Sequence, residues 1–239
     1  MNIADVPVAL LAGGLATRLR PLTETVPKAL VEVGGRPFID HQLALLHRNG
    51  IRHVVLCVGH LGEQIEAHVG NGRAYDLDVV YSYDGEVLLG TGGALRRAAP
   101  FLGSLCWVVY GDSYLDIDYA AILSHFTTRA PDKLGLMTIL QNDNQWDRSN
   151  VVFQQGRLLC YDKHVQTPDM TYIDYGAALV RQGAWERIVP GQRADLADLY
   201  HALVAEGQMD GYVVTQRFYE IGAFSGLEET RTYLSEETP

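Results

Sequence analysis

Cysteine is scarce in this chain of 239 residues, which contains three: Cys57, Cys106 and Cys160. Each lies within an apolar, strand-like run, and no pair has CxxC spacing. An odd number of cysteines without that spacing argues against a disulfide framework and against a zinc site. We therefore expect reduced thiols that are buried in a hydrophobic core.

Long hydrophobic runs are also absent from the sequence. No stretch approaches the roughly 18 apolar residues that a membrane span requires. The amino-terminal segment MNIADVPVALLAGG has an acidic residue, and no basic one, before its short apolar run. This arrangement is unlike that of a signal peptide. We expect a cytoplasmic protein without a membrane partner.

Positive charge is in deficit, because 19 lysine and arginine residues oppose 29 aspartate and glutamate residues. The formal net charge is -10. A general nucleic-acid surface needs clustered excess positive charge, so we expect no nucleic-acid partner. Any polyanionic ligand must be bound where a local group of cations overcomes the overall repulsion.

Several common catalytic patterns are missing as well. The chain contains neither GxGxxG nor GxxxxGK[ST], so it offers no support for an NAD-dependent oxidoreductase or a P-loop protein. Its eight histidines show no HExxH spacing. The GDS triplet at 111–113 is not the GxSxG elbow of a hydrolase.

Strand and helix patterns alternate through residues 1–144. Short apolar runs such as VPVALLA, IRHVVLCVG and SLCWVVYG are typical of buried parallel strands. Helical segments of roughly 10 to 15 residues separate them. This alternation predicts right-handed crossovers and an α/β fold with a doubly wound, mostly parallel, Rossmann-like sheet.

The pattern changes after about residue 144. SNVVFQQGRLLCYDK predicts a hairpin that turns at Gln155–Gly156, and further strands are predicted at MTYIDYGAALV and GYVVTQRFYEIG. We expect one continuous domain, 1–239, with a more antiparallel carboxyl-terminal part.

A glycine loop with several cations follows the first predicted strand, in LLAGGLATRLRPLTETVPKAL. Gly13 and Gly14 would let backbone N–H groups approach a phosphate, although paired glycines also form plain tight turns. Arg18 can fork onto phosphate oxygens, and Lys28 can supply a point charge. We interpret Arg20 as a solvated surface residue.

Two carboxylates and a lysine are further candidates. Asp112 ends a buried strand in VVYGDSY, where a carboxylate suits Mg²⁺, although a turn-forming or helix-capping role is the alternative. Glu220 in RFYEIGAF and Lys163 in LLCYDKH lie in predicted strands or hairpins. Taken alone, they fit a water-facing acid and a plain hairpin lysine.

Five segments together resemble the sugar-1-phosphate nucleotidyltransferases: LAGGLATRLRPLTETVPKAL, LGTGGAL, YGDSY, YDK and YEIG. The resemblance covers nearly the whole chain in the right order, and its first motif is highly specific. It is closest to the short members that use GTP with a mannose or heptose 1-phosphate. Glucose-1-phosphate thymidylyl- and uridylyltransferases come next.

The resemblance implies transfer of a nucleotidyl group from an NTP, with GTP favoured, to a sugar 1-phosphate. An oxygen of the sugar phosphate would attack the α-phosphorus in line and release pyrophosphate, without a protein nucleophile. A non-catalytic nucleotide-sugar-binding protein on the same fold is the competing hypothesis. A homodimer is left open, and no second catalytic domain is expected.

Roles for individual residues follow from the same resemblance. Residues 1–144 would form the nucleotide-binding part and 145–239 the sugar-phosphate-binding part. Arg18 would bind the departing β- and γ-phosphates, and Lys28 the reacting phosphates. Backbone contacts to the nucleotide would come from Leu11, Ala12, Gly13 and Gly14, and contacts to the base and ribose from Gly90, Thr91, Gly92 and Gly93.

The metal and the sugar phosphate would be bound by side chains. By resemblance, Asp112 binds Mg²⁺ and Lys163 binds the phosphate of the sugar. Glu220 stands where relatives have a second metal-binding aspartate. Two departures lie in the expected sugar pocket: Asn150, where relatives often have glycine, and Asp174, where they often have asparagine.

Overall fold

Nine strands form the central β-sheet within residues 1–236, the part of the chain that this computed structural model describes. Two further pairs of strands form small ribbons. In chain order the strands are β1 (Val8–Leu11), β2 (Glu32–Val33), β3 (Arg36–Pro37), β4 (His53–Val58), β5 (Asp78–Tyr83), β6 (Leu105–Tyr110), β7 (Ser113–Tyr114), β8 (Gly135–Gln141), β9 (Val151–Gln154), β10 (Arg157–Tyr161), β11 (Tyr172–Arg181), β12 (Met209–Val214) and β13 (Tyr219–Glu220).

The helices connect these strands and cover the sheet. They are α1 (Phe38–Arg48), α2 (Gly62–Val69), α3 (Gly90–Ala98), α4 (Tyr119–Arg129), α5 (Gln182–Trp185), α6 (Leu196–Ala205) and α7 (Phe224–Glu236). Within residues 1–236, no helix is both long enough and apolar enough to span a bilayer.

The order of the sheet confirms the predicted fold class. The strands run β10-β9-β11-β6-β1-β4-β5, and β8 and β12 extend the sheet beside β11. β6, β1, β4 and β5 are mutually parallel, whereas β11 is antiparallel to β6, β8 and β9. The predicted hairpin is present as β9 and β10, with Gln155 and Gly156 at positive φ in its turn. The sheet is thus largely parallel, with antiparallel strands from the second half.

Alternate residues of the central strands are buried on opposite faces of the sheet. In β1, Val8 and Leu10 pack with apolar residues of α1, α2 and α4, whereas Ala9 packs with those of α3 and α6. Helices therefore shield both faces, which is why these strands are continuous apolar runs. The three thiols are free; Cys57 and Cys106 are buried as expected, but Cys160 is only half-buried.

The carboxyl ends of β1, β4, β5 and β6 meet at one edge of the sheet, because these strands are parallel. Glycines permit close backbone approaches there. A Cβ on Gly111, just after β6, would lie 2.6 Å from the carbonyl oxygen of Leu11 at the end of β1. The loops that follow these strands are consequently held side by side.

Candidate active site

A cavity of about 330 Å³ opens at this edge, and we call it the edge cavity. Ligand pockets begin at about this size. It contains eight of the predicted site residues and two further residues. Its lining includes Leu11, Ala12, Gly13, Gly14, Lys28, Cys57, Asp84, Gly90, Thr91 and Asp112.

The glycine loop after β1 borders the edge cavity. A Cβ on Gly13 would lie 3.0 Å from the backbone nitrogen of Gly59, so this glycine permits a close packing of two loops. Gly14 differs, because it is exposed and a Cβ there would meet no atom within 4 Å. Packing within the protein therefore does not require a glycine at position 14. A ligand that approached the backbone closely would require one, because a side chain would occupy its place.

Lys28 and Asp112 form a salt bridge inside the edge cavity, with 2.9 Å between Nζ and Oδ2. The two side chains are 18% and 27% exposed, so both are within reach of a ligand. The other carboxylate oxygen of Asp112 accepts a hydrogen bond from the Ser113 hydroxyl at 3.3 Å. Asp112 thus pairs with a lysine 84 positions away in the chain and caps no helix of the described part.

Glu220 is brought next to Asp112 by the ribbon of β7 and β13. It pairs with Ser113 across this ribbon, and the Ile221 amide donates to the carbonyl oxygen of Asp112 at 2.9 Å. The carboxyl group is half-buried rather than water-facing. Burial raises its pKa, and the negative charge of Asp112 adds to the effect.

Arg18 reaches the same corner from the glycine loop. A Cβ on Gly222 would lie 3.3 Å from Nη2 of Arg18 and 3.3 Å from Oε1 of Glu220. The guanidinium therefore lies near Glu220, where its positive charge opposes the rise in the pKa of that carboxyl. Arg18 is exposed and does not line the edge cavity itself.

A second cavity, of about 240 Å³, lies beside the β9–β10 hairpin, and we call it the hairpin cavity. Its lining includes Asn150 and Lys163, and it shares no described lining residue with the edge cavity. Asn150 is tied to the backbone, because its side-chain oxygen accepts a hydrogen bond from the Asp174 amide at 2.9 Å.

Asp174 lies at a β-bulge in β11, where Gly176 has φ +102°. The Gly176 amide donates to Oδ1 of Asp174 at 3.0 Å. Burial raises the pKa of Asp174 to about 6, although this hydrogen bond and the charge of Lys163 oppose the rise. Asp174 lines neither cavity and touches the hairpin cavity only through the hydrogen bond from its amide to Asn150.

Asp195 connects the two cavities and was missed by the sequence analysis. Its Oδ2 pairs with Nζ of Lys163 at 3.1 Å, and its Oδ1 accepts a hydrogen bond from the Thr91 hydroxyl at 2.9 Å. It also caps α6 by accepting from the Ala197 amide at 3.0 Å. Burial raises the pKa of Asp195, but these three hydrogen bonds outweigh it and leave the pKa lowered.

Within the segment from Gly90 to Gly93, only the first two residues line the edge cavity. Gly92 and Gly93 are buried, and their amides both donate to the carbonyl oxygen of Ala194, at 2.9 and 3.3 Å. A Cβ on Gly93 would lie 2.7 Å from the Gln192 carbonyl oxygen. In this structure these two glycines pack α3 against the segment 192–195.

Asp84 lines the edge cavity and is a second residue that was not predicted from the sequence. It follows β5 and is only 7% exposed, and its Oδ2 accepts a hydrogen bond from the Leu89 amide at 3.0 Å. Burial raises the pKa of this carboxyl group, against the effects of the Leu89 hydrogen bond and the charge of Arg97. Like Asp112, it stands next to a glycine at the end of an apolar strand, which is the signal that would have found it.

With this geometry established, comparison with known proteins decides the family. Residues 8–149 match the family model described as nucleotidyl transferase. The chain belongs to this family. The matched region contains the glycine loop, Lys28, Asp84, Gly90 to Gly93 and Asp112.

Curated relatives carry several base and sugar specificities. The chain is 29% identical over 227 residues to a mannose-1-phosphate guanylyltransferase of Mycobacterium tuberculosis, covering 93% of this chain and 62% of that protein. It is 41% identical over 113 residues to an N-acetylmuramate alpha-1-phosphate uridylyltransferase of Neisseria meningitidis, covering 47% of this chain and 49% of that protein. The chain thus spans less than two thirds of the length of these relatives in each match.

A solved structure supports the fold. A putative glucose-1-phosphate thymidylyltransferase from Bacillus anthracis superposes with a TM-score of 0.84, over 95% of this chain and 94% of that one. The sequence identity is 19%, so this similarity concerns the fold alone.

Proposed function

We propose that this protein transfers a nucleotidyl group from an NTP to a sugar 1-phosphate and releases pyrophosphate. The preferred pair is GTP with a mannose or heptose 1-phosphate. The proposal rests on one observation above all: the Lys28–Asp112 salt bridge lies in a glycine-lined cavity of a nucleotidyl transferase chain, next to Glu220.

The glycine loop is assigned to the nucleotide. Arg18 would bind the departing β- and γ-phosphates, and Lys28 would neutralise the phosphates that react. The attacking sugar phosphate is already anionic, so no general base is needed, and rate enhancement comes from positioning and from charge neutralisation. Backbone contacts to the nucleotide come from Leu11, Ala12, Gly13 and Gly14, with Gly90 and Thr91 on its other side.

Asp112 and Glu220 are assigned to Mg²⁺. Two adjacent carboxylates are the oxygen donors that this ion prefers, and Mg²⁺ commonly takes its remaining ligands from waters and substrate phosphates. Burial and the charge of Asp112 raise the pKa of Glu220, while the charges of Arg18 and Lys28 oppose the rise. The donor set therefore fits a divalent cation, which would withdraw charge from the reacting phosphates.

The sugar phosphate is assigned to the hairpin cavity, with Lys163 as its cation and Asn150 and Asp174 near the sugar. This keeps the division into a nucleotide part, 1–144, and a sugar-phosphate part, 145–239. The division is not strict, because the segment 192–195 packs against α3 on the nucleotide side.

The test is a matrix of ATP, GTP, CTP, UTP and dTTP against four sugar phosphates, read as pyrophosphate release with Mg²⁺ present. The sugars are glucose, mannose, heptose and N-acetylmuramate 1-phosphates. We expect the highest kcat/KM for GTP with mannose or heptose 1-phosphate. A preference for UTP would instead support uridylyl transfer, which the 41% identical relative favours. No pyrophosphate release with any pair would contradict the proposal and favour a binding protein.

A further inference from the structure

Gln42 is a buried side chain of α1 that is bonded to the loop carrying Asp112. Its Nε2 donates to the carbonyl oxygen of Tyr110 at 3.1 Å and to that of Ser113 at 2.9 Å. These two carbonyl groups lie on either side of Gly111 and Asp112 in the chain. The side chain is 3% exposed, and it belongs to the described lining of neither cavity. Gln42 therefore acts on the backbone around Asp112 from behind the site.

The amide group of Gln42 is oriented by its donors. A side-chain amide has two N–H donors on its nitrogen, and two carbonyl oxygens accept from the nitrogen here. Its oxygen, Oε1, is buried and accepts no hydrogen bond from residues 1–236. The opposite orientation would place this oxygen against two carbonyl oxygens. Since a buried acceptor without a donor costs free energy, packing alone would be better served by an apolar side chain.

Two backbone hydrogen bonds attach the same loop to other elements. The Gly111 amide donates to the carbonyl oxygen of Leu11, at the end of β1, at 3.0 Å. The Ile221 amide, just after β13, donates to the carbonyl oxygen of Asp112 at 2.9 Å. The loop 110–113 is thus attached to the sheet, to the carboxyl-terminal ribbon and, through Gln42, to α1.

α1 also packs against the segments that carry two other charged residues. Its apolar face belongs to one buried cluster with Leu19 and Ile221. Leu19 follows Arg18 in the chain, and Ile221 follows Glu220. Gln42 lies on the same face of α1, because the two α1 residues of this cluster stand four positions before it and three after it. The helix that holds the loop of Asp112 therefore lies against the neighbours of Arg18 and Glu220 as well.

We propose that Gln42 is a positioning residue for nucleotidyl transfer: its amide fixes the loop 110–113, and with it the place of the Asp112 carboxylate beside Lys28. This inference rests on the proposed function, which assigns Asp112 to Mg²⁺. Groups that orient a metal-binding side chain commonly affect the metal affinity and the rate as strongly as many direct contacts do.

Three variants separate positioning from folding. Gln42→Met keeps the length of the side chain and removes both donors. Gln42→Glu keeps its shape and, when protonated, retains one donor. Asn49→Leu is the matched control, because it removes another side-chain amide, at the end of the same helix, that donates to the carbonyl oxygen of Leu45 at 3.1 Å. Asn49 belongs to the described lining of neither cavity.

Hydrogen exchange, measured by mass spectrometry without substrate or metal, tests the attachment of the loop directly. In the wild-type protein the amides of 110–113 should exchange slowly. Gln42→Met should accelerate their exchange by about 10-fold or more, the effect of losing two hydrogen bonds. Asn49→Leu should leave their exchange unchanged, although it lowers the thermal midpoint of the protein.

Kinetics with the best substrate pair then test the effect on transfer. Gln42→Met should lower kcat by about 10- to 100-fold and raise the Mg²⁺ concentration for half-maximal rate by a similar factor. KM for the nucleotide should change little, because the residues assigned to nucleotide binding are untouched. Gln42→Glu should fall further below the wild-type rate as the pH rises, since its ionised form has no donor for the two carbonyl groups.

Several results would overturn the inference. One is unchanged exchange of 110–113 in a folded Gln42→Met protein, and another is an equal loss of kcat in Gln42→Met and Asn49→Leu. If Gln42→Met does not fold, a pH-independent ratio of Gln42→Glu to wild-type activity would overturn it. Exchange of 110–113 in the wild-type protein as fast as in an exposed loop would do so without any variant.

The two proposals fail separately. If no NTP and sugar phosphate release pyrophosphate but Gln42→Met accelerates exchange in 110–113, transfer is wrong and the attachment of the loop by Gln42 stands. If the wild-type protein releases pyrophosphate and Gln42→Met does so with the same kcat and the same Mg²⁺ requirement, transfer stands and the positioning role of Gln42 is wrong.

Discussion

Lys28 and Asp112 in the edge cavity lie close to a third charged side chain, Glu220, from a distant part of the sequence. Lys28 neutralises Asp112 directly, whereas Glu220 has no salt bridge within the described residues and a raised pKa. The charges are therefore unevenly balanced: Asp112 has a cation at salt-bridge distance, whereas Arg18 and Lys28 act on Glu220 through their charges without a salt bridge in residues 1–236. A divalent cation would restore the balance, as the proposed magnesium site requires.

Asp112→Asn should lower pyrophosphate release by about 100- to 1,000-fold, because it removes charge stabilisation of the reacting phosphates. The fold should persist, since a partly exposed salt bridge contributes about 0 to 1 kcal/mol. Steady-state kcat and the thermal midpoint are the two measurements.

The matched control is Asp116→Asn, which removes a carboxylate that pairs with Arg48 at 3.2 Å outside the edge cavity. Its kcat should stay within about twofold of the wild-type value. Near-normal turnover of Asp112→Asn, or an equal loss in Asp116→Asn, would refute the role given to Asp112.

At the scale of elements, the amino-terminal end of α6 connects the two cavities. Its capping residue, Asp195, binds Thr91 at the start of α3 and Lys163 after β10. One side chain thus joins a helix start, the glycine-rich segment and the hairpin. The lysine proposed for the sugar phosphate is thereby linked through Asp195 to Thr91, which lines the edge cavity.

Asp195→Ala should lower the free energy of unfolding by about 1 to 2 kcal/mol, because α6 loses its cap and Thr91 loses its acceptor. Asp195→Asn should lower it by less than about 0.5 kcal/mol, since asparagine caps helices equally well. Urea unfolding followed by far-UV circular dichroism measures both values.

Asp198→Ala is the control, because it removes an exposed acid from the first turn of the same helix without removing the cap. If Asp198→Ala lowered the free energy of unfolding as much as Asp195→Ala does, the negative charge in the first turn of α6, rather than the cap, would account for the loss.

The sequence predicted those elements whose signals are local. The alternation of strands and helices, the β9–β10 hairpin and the loop after β1 all depend on residues close together in the chain, and the structure contains each of them. Because parallel strands end at a common edge, the glycine loop after β1 and Asp112 after β6 lie side by side, but the salt bridge between Lys28 and Asp112 was not itself predicted.

The contacts that the sequence did not predict join segments far apart in the chain. Glu220 reaches Asp112 through a two-residue ribbon, and no local pattern specifies which short strands will pair. The sequence around Asp195 indicates only an ordinary helix cap. Its hydrogen bonds to Lys163 and Thr91 could not be predicted, because no further sequence pattern marks them. Asp84 did have a local signal, the strand-end carboxylate beside a glycine.

At the scale of the whole molecule, β11 holds the two halves of the chain in one sheet. It lies between β6 of the first half and β9 of the second, and Asp174 lies at its bulge. Because Asp174 is a carboxylate whose pKa burial raises, its ionisation should affect the free energy of unfolding.

The pKa of Asp174 is raised by burial to about 6, above the roughly 4 of an unfolded aspartate. Between these values the folded protein keeps a proton that the unfolded chain has released, so stability falls as the pH rises through this interval. Asp174→Asn has no such proton. Relative to the wild-type protein, it should gain roughly 1 to 3 kcal/mol in unfolding free energy between pH 4 and pH 7.5.

Urea unfolding at several pH values measures this gain, with Asp169→Asn, an exposed carboxylate nearby, as the control. A difference between Asp174→Asn and the wild-type protein that stays constant from pH 4 to pH 7.5 would contradict the raised pKa.

If Lys28 binds an anion and Asp112 a cation, as proposed, their salt bridge should make the two binding events cooperative. An anion that draws Lys28 away leaves the charge of Asp112 uncompensated, which strengthens the attraction for a cation. A cation that engages Asp112 frees Lys28 for an anion in the same way, and by thermodynamic reciprocity the two enhancements are equal. Either ion alone would have to compete with an existing partner, whereas the two together would replace it, so under the proposed function a metal–nucleotide complex should bind more tightly than either component alone.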